Sequence, residues 1–69
     1  MIAVFRTGVR NQGDADYLMK IIKNQYRGYE INFDLEDCDH VLRIKGQEIK
    51  NKDIITLLRK EGFMCTELW

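Results

Sequence analysis

The sequence predicts an α+β fold in which two helices lie on one face of a four-stranded antiparallel sheet, in the order β-α-β-β-α-β. Three observations predict it. Residues 29–35, YEINFDL, alternate apolar and polar without a break, as a strand with one wet side does. Two runs, beginning near 14 and 51, carry apolar residues at helical spacing, and each is followed by a glycine, Gly28 or Gly62. Segments rich in β-favouring residues open and close the chain.

The first strand is residues 2–7, IAVFRT. Either Ala3, Phe5 and Thr7 or Ile2, Val4 and Arg6 can face inward, and the first choice keeps Arg6 in water. Residues 14–26 form a helix, with Leu18, Ile21, Ile22 and Gln25 on one side and Lys20, Lys23 and Asn24 on the other. Gly28 supplies its stop. In the strand 29–35, Tyr29, Ile31, Phe33 and Leu35 share one face, against Glu30, Asn32 and Asp34. The cluster EDCD (36–39) turns the chain, and HVLRIK (40–45) returns with Leu42 and Ile44 inward, closed by Gly46. Asn51 is placed to cap a second helix whose apolar face is Ile54, Ile55, Leu57 and Leu58. After Gly62, FMCTELW (63–69) makes the last strand. The whole is the ferredoxin-like split βαβ arrangement.

The chain has 69 residues, which makes one domain, 1–69, without linker or internal repeat. Its 11 basic and 11 acidic residues balance, which argues against a general nucleic-acid or polyanion binder. The apolar runs are too short to span a bilayer, and MIAVFRTG has neither a basic leader nor a small-residue cleavage site. A cytoplasmic location is therefore expected. Two cysteines, Cys38 and Cys65, are too few for a disulfide framework, and their separation of 27 positions matches no zinc-ligand spacing.

The topology has a functional consequence. The loop after the first strand, the hairpin tip at 36–39 and the turn at Gly62-Phe63 should share one end of the fold, so that Asn11, Asp14, Cys38, His40 and Phe63 become neighbours. At that end lies TGVRNQGD (7–14), a loop between strand and helix with no cysteine, no histidine and one carboxylate. Asn11 followed three residues later by Asp14 resembles a variant capping box: the amide oxygen accepts from a free helix N–H, and the carboxylate sits near the positive end of the helix dipole. A polar recognition surface and metal ligation are the other two uses of such a loop.

Nearly the whole chain resembles the heavy-metal-associated domain family of copper chaperones and copper-ATPase N-terminal domains. The family's Met-x-Cys-x-x-Cys loop corresponds to Val9-Arg10-Asn11-Gln12-Gly13-Asp14, with Val9 on the methionine, Asn11 on the first cysteine and Asp14 on the second. Leu18 and Ile22 fall on the helix-core positions. GYEINFDL (28–35) is similar to the family's Gly-Val-x-x-Val-x-Val-Asp-Leu strand, and EGFMCTEL (61–68) to its closing Ala-Gly-Tyr-x-Ala segment. The resemblance implies a retained scaffold of that family, with the ferredoxin-like fold. It does not carry copper binding over, because soft Cu(I) wants thiolates and neither an amide nor a carboxylate replaces them.

The resulting expectation is a non-catalytic domain without cofactor that recognises a protein partner through Arg10, Asn11, Gln12, Asp14, the 36–40 tip and Phe63. The alternative is binding or trafficking of Zn, Ni or Cu at a non-standard site built from Cys38, His40, Asp14 or Cys65. Against it, neighbouring strand residues point to opposite faces, and aspartates are common in turns for backbone hydrogen bonding. Arg43, Lys45, Lys50, Lys52, Arg59 and Lys60 make the later segment more basic, as a solvated surface or a steering patch. Met64 and Trp69 are placed to seal the sheet edge or offer an apolar contact, and pairing through 64–69 would give a weak homodimer in place of a monomer. His40 is the only histidine, no nucleophile–base pair or phosphate-gripping loop is present, and HVLRIK lacks the aromatic, glycine-rich RNA-binding signature.

Overall fold

The structure is a computed structural model that describes residues 1–68. Its elements are β1 (Ile2–Thr7), α1 (Gln12–Gln25), β2 (Glu30–Asp34), β3 (Val41–Lys45), α2 (Asn51–Lys60) and β4 (Cys65–Glu67). The strands form one antiparallel sheet in the order β2-β3-β1-β4, so the chain folds as the expected βαββαβ ferredoxin-like sandwich. Among the described residues, no helix is long and apolar enough to cross a membrane.

Register decides which side chains meet under the helices. Phe5 lies opposite Leu42, which lies opposite Phe33; Ala3, Ile44 and Ile31 form the next row. Ala3, Phe5 and Thr7 are buried, so β1 takes the phase that leaves Arg6 in water. From α1 come Ala15, Leu18 and Ile22, and from α2 Ile54 and Leu58; Ile21, Ile55 and Leu57 are only half-buried. Gln25, which the spacing puts on the inner side, is exposed, and Ala15 one turn before Leu18 fills the core instead. Val4 and Val41 are also buried, although they belong to the outer phase of the sheet. Their register partners are Arg43 and Arg6, whose aliphatic stems can cover them while the guanidinium groups remain in water. Ion pairs join Arg43 to Asp34 at 3.7 Å and Lys45 to Glu30 at 3.9 Å on that face.

Helix α1 ends at Gln25, β2 ends at Asp34 and β3 begins at Val41, each one residue inside the range the sequence predicts, and four elements differ in further ways. Helix α1 begins at Gln12, two residues earlier than its apolar spacing suggests, because Asn11 closes its first turn as the N-cap. Strand β2 starts at Glu30, since Tyr29 is still held by the turn bond from its N–H to the Tyr26 carbonyl. Strand β4 is three residues long, Cys65–Glu67; the expected contribution of Trp69 to the edge lies outside the described residues. At α2 the cap is Lys50, not Asn51. Asn51 is the first helical residue, and its buried amide oxygen has no partner among the described residues.

Glycine is required at one tight approach. A Cβ on Gly46 would collide with the ring of Tyr29, whose hydroxyl donates to the Glu48 carbonyl and accepts from the Glu48 N–H at 3.2 Å. Tyr29 thus straps the start of β2 to the β3–α2 connection. Gly28 and Gly62, with φ of 82° and 93°, end the turns after the helices in the left-handed region.

Lys50 makes no side-chain cap bond and puts positive charge at the positive end of α2. Replacing it by serine should stabilise the fold by about 1 kcal/mol. Urea unfolding checks this as a higher midpoint at unchanged m.

Candidate functional site: the loop end of the sandwich

Three separate segments are fastened together where β1 ends. Thr7 is the fastening. Its N–H donates to the Asp39 carbonyl at 3.1 Å, and its hydroxyl donates to the His40 carbonyl at 2.6 Å. The same hydroxyl oxygen accepts from the Val9 N–H at 3.2 Å. Next to it the Gly8 N–H donates to the Met64 carbonyl at 2.9 Å. The first loop, the hairpin tip and the approach to β4 therefore do share one end, as the topology predicts. Thr7 is 2% exposed; the strand pattern places it inward but assigns its hydroxyl no role. A β-branched residue carrying a hydroxyl at the last inward position of a strand is the only sequence signal for it.

Within the first loop, Val9 is fully buried and anchors the segment to the core. Asn11 has extended backbone (φ −133°, ψ 159°), its amide oxygen accepts from the Asp14 N–H at 2.8 Å, and its amide nitrogen donates to the Asp14 carboxylate at 3.0 Å. This is the N-cap expected of the Asn11–Asp14 spacing, worth about 1 kcal/mol, with the Asp14 carboxylate held by the Asn11 side-chain amide rather than by its backbone N–H. Gln12 donates to Asp16 at 2.8 Å along the helix surface. Arg10 is exposed and makes no ion pair among the described residues. Asn11 and Asp14 are committed to each other, and their oxygen and amide donors do not fit the two-thiolate chemistry of Cu(I).

The tip is organised by its own aspartates. Asp34 accepts from the Asp37 N–H at 3.3 Å, Asp37 accepts from the Asp39 N–H at 2.9 Å, and the His40 N–H donates to the Asp37 carbonyl at 2.9 Å. His40 takes a φ of 45°, a left-handed conformation that His adopts more readily than most side chains. Asp39 also lies 3.9 Å from Arg6. One ligand atom each from Asp37, Cys38 and Asp39 falls within 4.8 Å of the others. That group includes none of His40, Asp14 and Cys65.

The two cysteines have different surroundings. Cys38 is exposed at the tip, whereas Cys65 lies in the core with Phe5, Val9 and Leu58. Burial pushes the Cys65 thiol up from its ordinary 9.0 to about 11, partly opposed by Arg59. It therefore stays protonated near neutral pH, and it is a packing residue. Phe63 is half-buried against the core, and its N–H donates to the Leu58 carbonyl at 2.9 Å. It offers this end an edge more than a free ring. Met64, 50% exposed beside Gly8, presents more apolar surface.

Tyr17 carries no mark in the sequence pattern. It projects from α1 off the apolar stripe, is 52% exposed, and donates its hydroxyl to Glu61 at 2.8 Å, joining α1 to the end of α2. That hydrogen bond, then the Glu61 charge, raises the Tyr17 hydroxyl above its ordinary 10.0. Nothing in a one-dimensional pattern signals a contact between residues 44 positions apart.

Three measurements check this arrangement. Thr7→Val keeps the shape but leaves the His40 carbonyl and the Val9 N–H without their partner, and should cost about 1–3 kcal/mol in thermal or urea unfolding. A thiol reagent at mildly alkaline pH should label Cys38 in the folded chain and reach Cys65 only on unfolding. By linkage, the folded state keeps the Cys65 proton between 9.0 and about 11 while the unfolded chain releases it, so stability falls as pH rises through that interval. Cys65→Ala should flatten that fall.

Comparison with protein-family models, with curated proteins and with solved structures gives no match to this chain.

Proposed function

We propose that the chain is a non-catalytic protein-interaction or regulatory module on a heavy-metal-associated-like scaffold, acting as a monomer or weak homodimer. Its recognition surface is the loop end: Arg10, Asn11, Gln12, Asp14, the 36–40 tip and Phe63. One observation carries the reading: the Thr7 and Gly8 bonds hold three chain segments at a single end, while Asn11 and Asp14 serve as a helix cap. A surface fixed by backbone bonds loses little freedom on binding, which favours recognition over a mobile loop of the same composition. The exposed Arg10 and Met64 supply a charge and an apolar contact there.

The outer sheet face is the internal control. Its two valines are already covered, and Asn32 lies in the middle of β2 rather than at the loop end. A photoreactive side chain at Arg10 should capture a defined protein partner from a native extract, and one at Asn32 on the outer face should not. Equal capture from both positions, or none from either, counts against the loop-end surface.

The second reading is favoured by the cluster of Asp37, Cys38 and Asp39 ligand atoms: binding of Zn2+ or Ni2+ at the tip, with His40 or Asp14 recruited by rearrangement. Cys65 contributes nothing to it, being held protonated in the core. Titration calorimetry separates the readings. The interaction module shows no tight one-to-one Cu(I) binding under reducing conditions and no Zn2+ or Ni2+ affinity that a joint Cys38→Ala and His40→Ala change abolishes.

A further inference from the structure

The end of the sandwich opposite Thr7 carries a groove of about 700 Å3, bordered by the α1–β2 and β3–α2 connections. Its size falls within the ~300–1,000 Å3 of small-molecule sites. One wall is Tyr29, and that wall is fixed. Its hydroxyl is bonded to both backbone groups of Glu48, its ring lies against Gly46, and the Tyr26 ring stands 5.4 Å away. Gly28 and Gly46 place no side chain in the opening, and Met1, 65% exposed, adds apolar surface.

The charges at the rim are unequal. Arg27, Lys45 and the Met1 ammonium border the groove with Glu30 as its one carboxylate, three cations against one anion; the ammonium donates to the Gly46 carbonyl at 2.8 Å. Arg27 makes no ion pair among the described residues. Lys45 meets Glu30 only at 3.9 Å, with both side chains largely in water (66% and 77% exposed), a pairing that contributes little and opens readily. An incoming anion can therefore compete with Glu30 for Lys45, with Arg27 on the same rim.

We propose that this groove binds a small organic anion, its charged group between Arg27 and Lys45 and its apolar body along Tyr29 and Met1. The pre-positioned aromatic wall favours an organic molecule over a bare oxyanion, because a bare oxyanion leaves the Tyr29–Met1 side unused. The site is independent of the loop-end surface, since it uses the other set of connections.

Amide NMR of the full chain tests it with three probes: naphthalenesulfonate, neutral naphthol and inorganic sulfate. Naphthalenesulfonate should shift the Gly28, Gly46 and Gln47 amides saturably, and naphthol and sulfate should bind at least roughly fivefold more weakly. Arg27→Gln should weaken the sulfonate by about fivefold, and Glu30→Gln should tighten it by removing the competing carboxylate. Arg27 is exposed and outside the core, so an otherwise unchanged spectrum certifies the fold of that variant. Shifts mapping elsewhere, naphthol binding as well as the sulfonate, or an Arg27→Gln affinity equal to that of the parent chain would each overturn the proposal. Photocapture from Arg10 is unaffected by any of these outcomes, so the two surfaces fail separately.

Discussion

One buried hydroxyl organises the end of this fold. Thr7 sits where β1 must release the chain into a loop, and there the sheet ladder can no longer satisfy nearby backbone groups. Its side chain replaces the missing ladder bonds by donating a hydrogen bond to the His40 carbonyl and accepting one from the Val9 N–H. Without a partner of this kind, a buried backbone group costs comparable energy to a lost hydrogen bond. The left-handed turn at His40 and the inward anchor at Val9 both depend on it. Through them it joins the aspartate-bonded tip to the capped first loop.

A chain of 69 residues has little core to spare, and its stability must come from agreement between local and long-range terms. The Asn11–Asp14 cap, the aspartate bonds of the tip and the Tyr29 strap each tie a connection to a neighbouring element. The α2 start departs from that pattern, with an uncapped lysine and an orphaned Asn51 oxygen. Val4 and Val41, buried beside their register partners Arg43 and Arg6, give the sheet a second, thin apolar layer on the side without helices.

The fold is legible in the sequence because its signals are periodic. Alternation in 29–35 and glycine stops after each helix define strand, helix and order without knowledge of contacts. The Asn11 cap is legible because donor and acceptor lie three residues apart. The features that escape are set by distance along the chain or by competition between equals. Thr7 needs residues 39 and 40, Tyr17 needs Glu61, and neither pairing leaves a local trace. Lys50 and Asn51 compete for one cap position, and residue preference favours the asparagine while the backbone places it one step too far into the helix. The two cysteines look alike in the sequence and differ because one lies on an inward strand position and the other on an open turn.

The contact between Gly46 and Tyr29 also sets an order on how this chain can change over generations. Any side chain at 46 is blocked while the ring stands beside it, and the ring is held from its far end by the Glu48 backbone. A smaller residue at 29 must therefore come first, at the cost of the strap, before position 46 becomes free to vary. A chain that keeps the tyrosine is held to glycine at 46, and one that loses it gains a free position at the mouth of the groove.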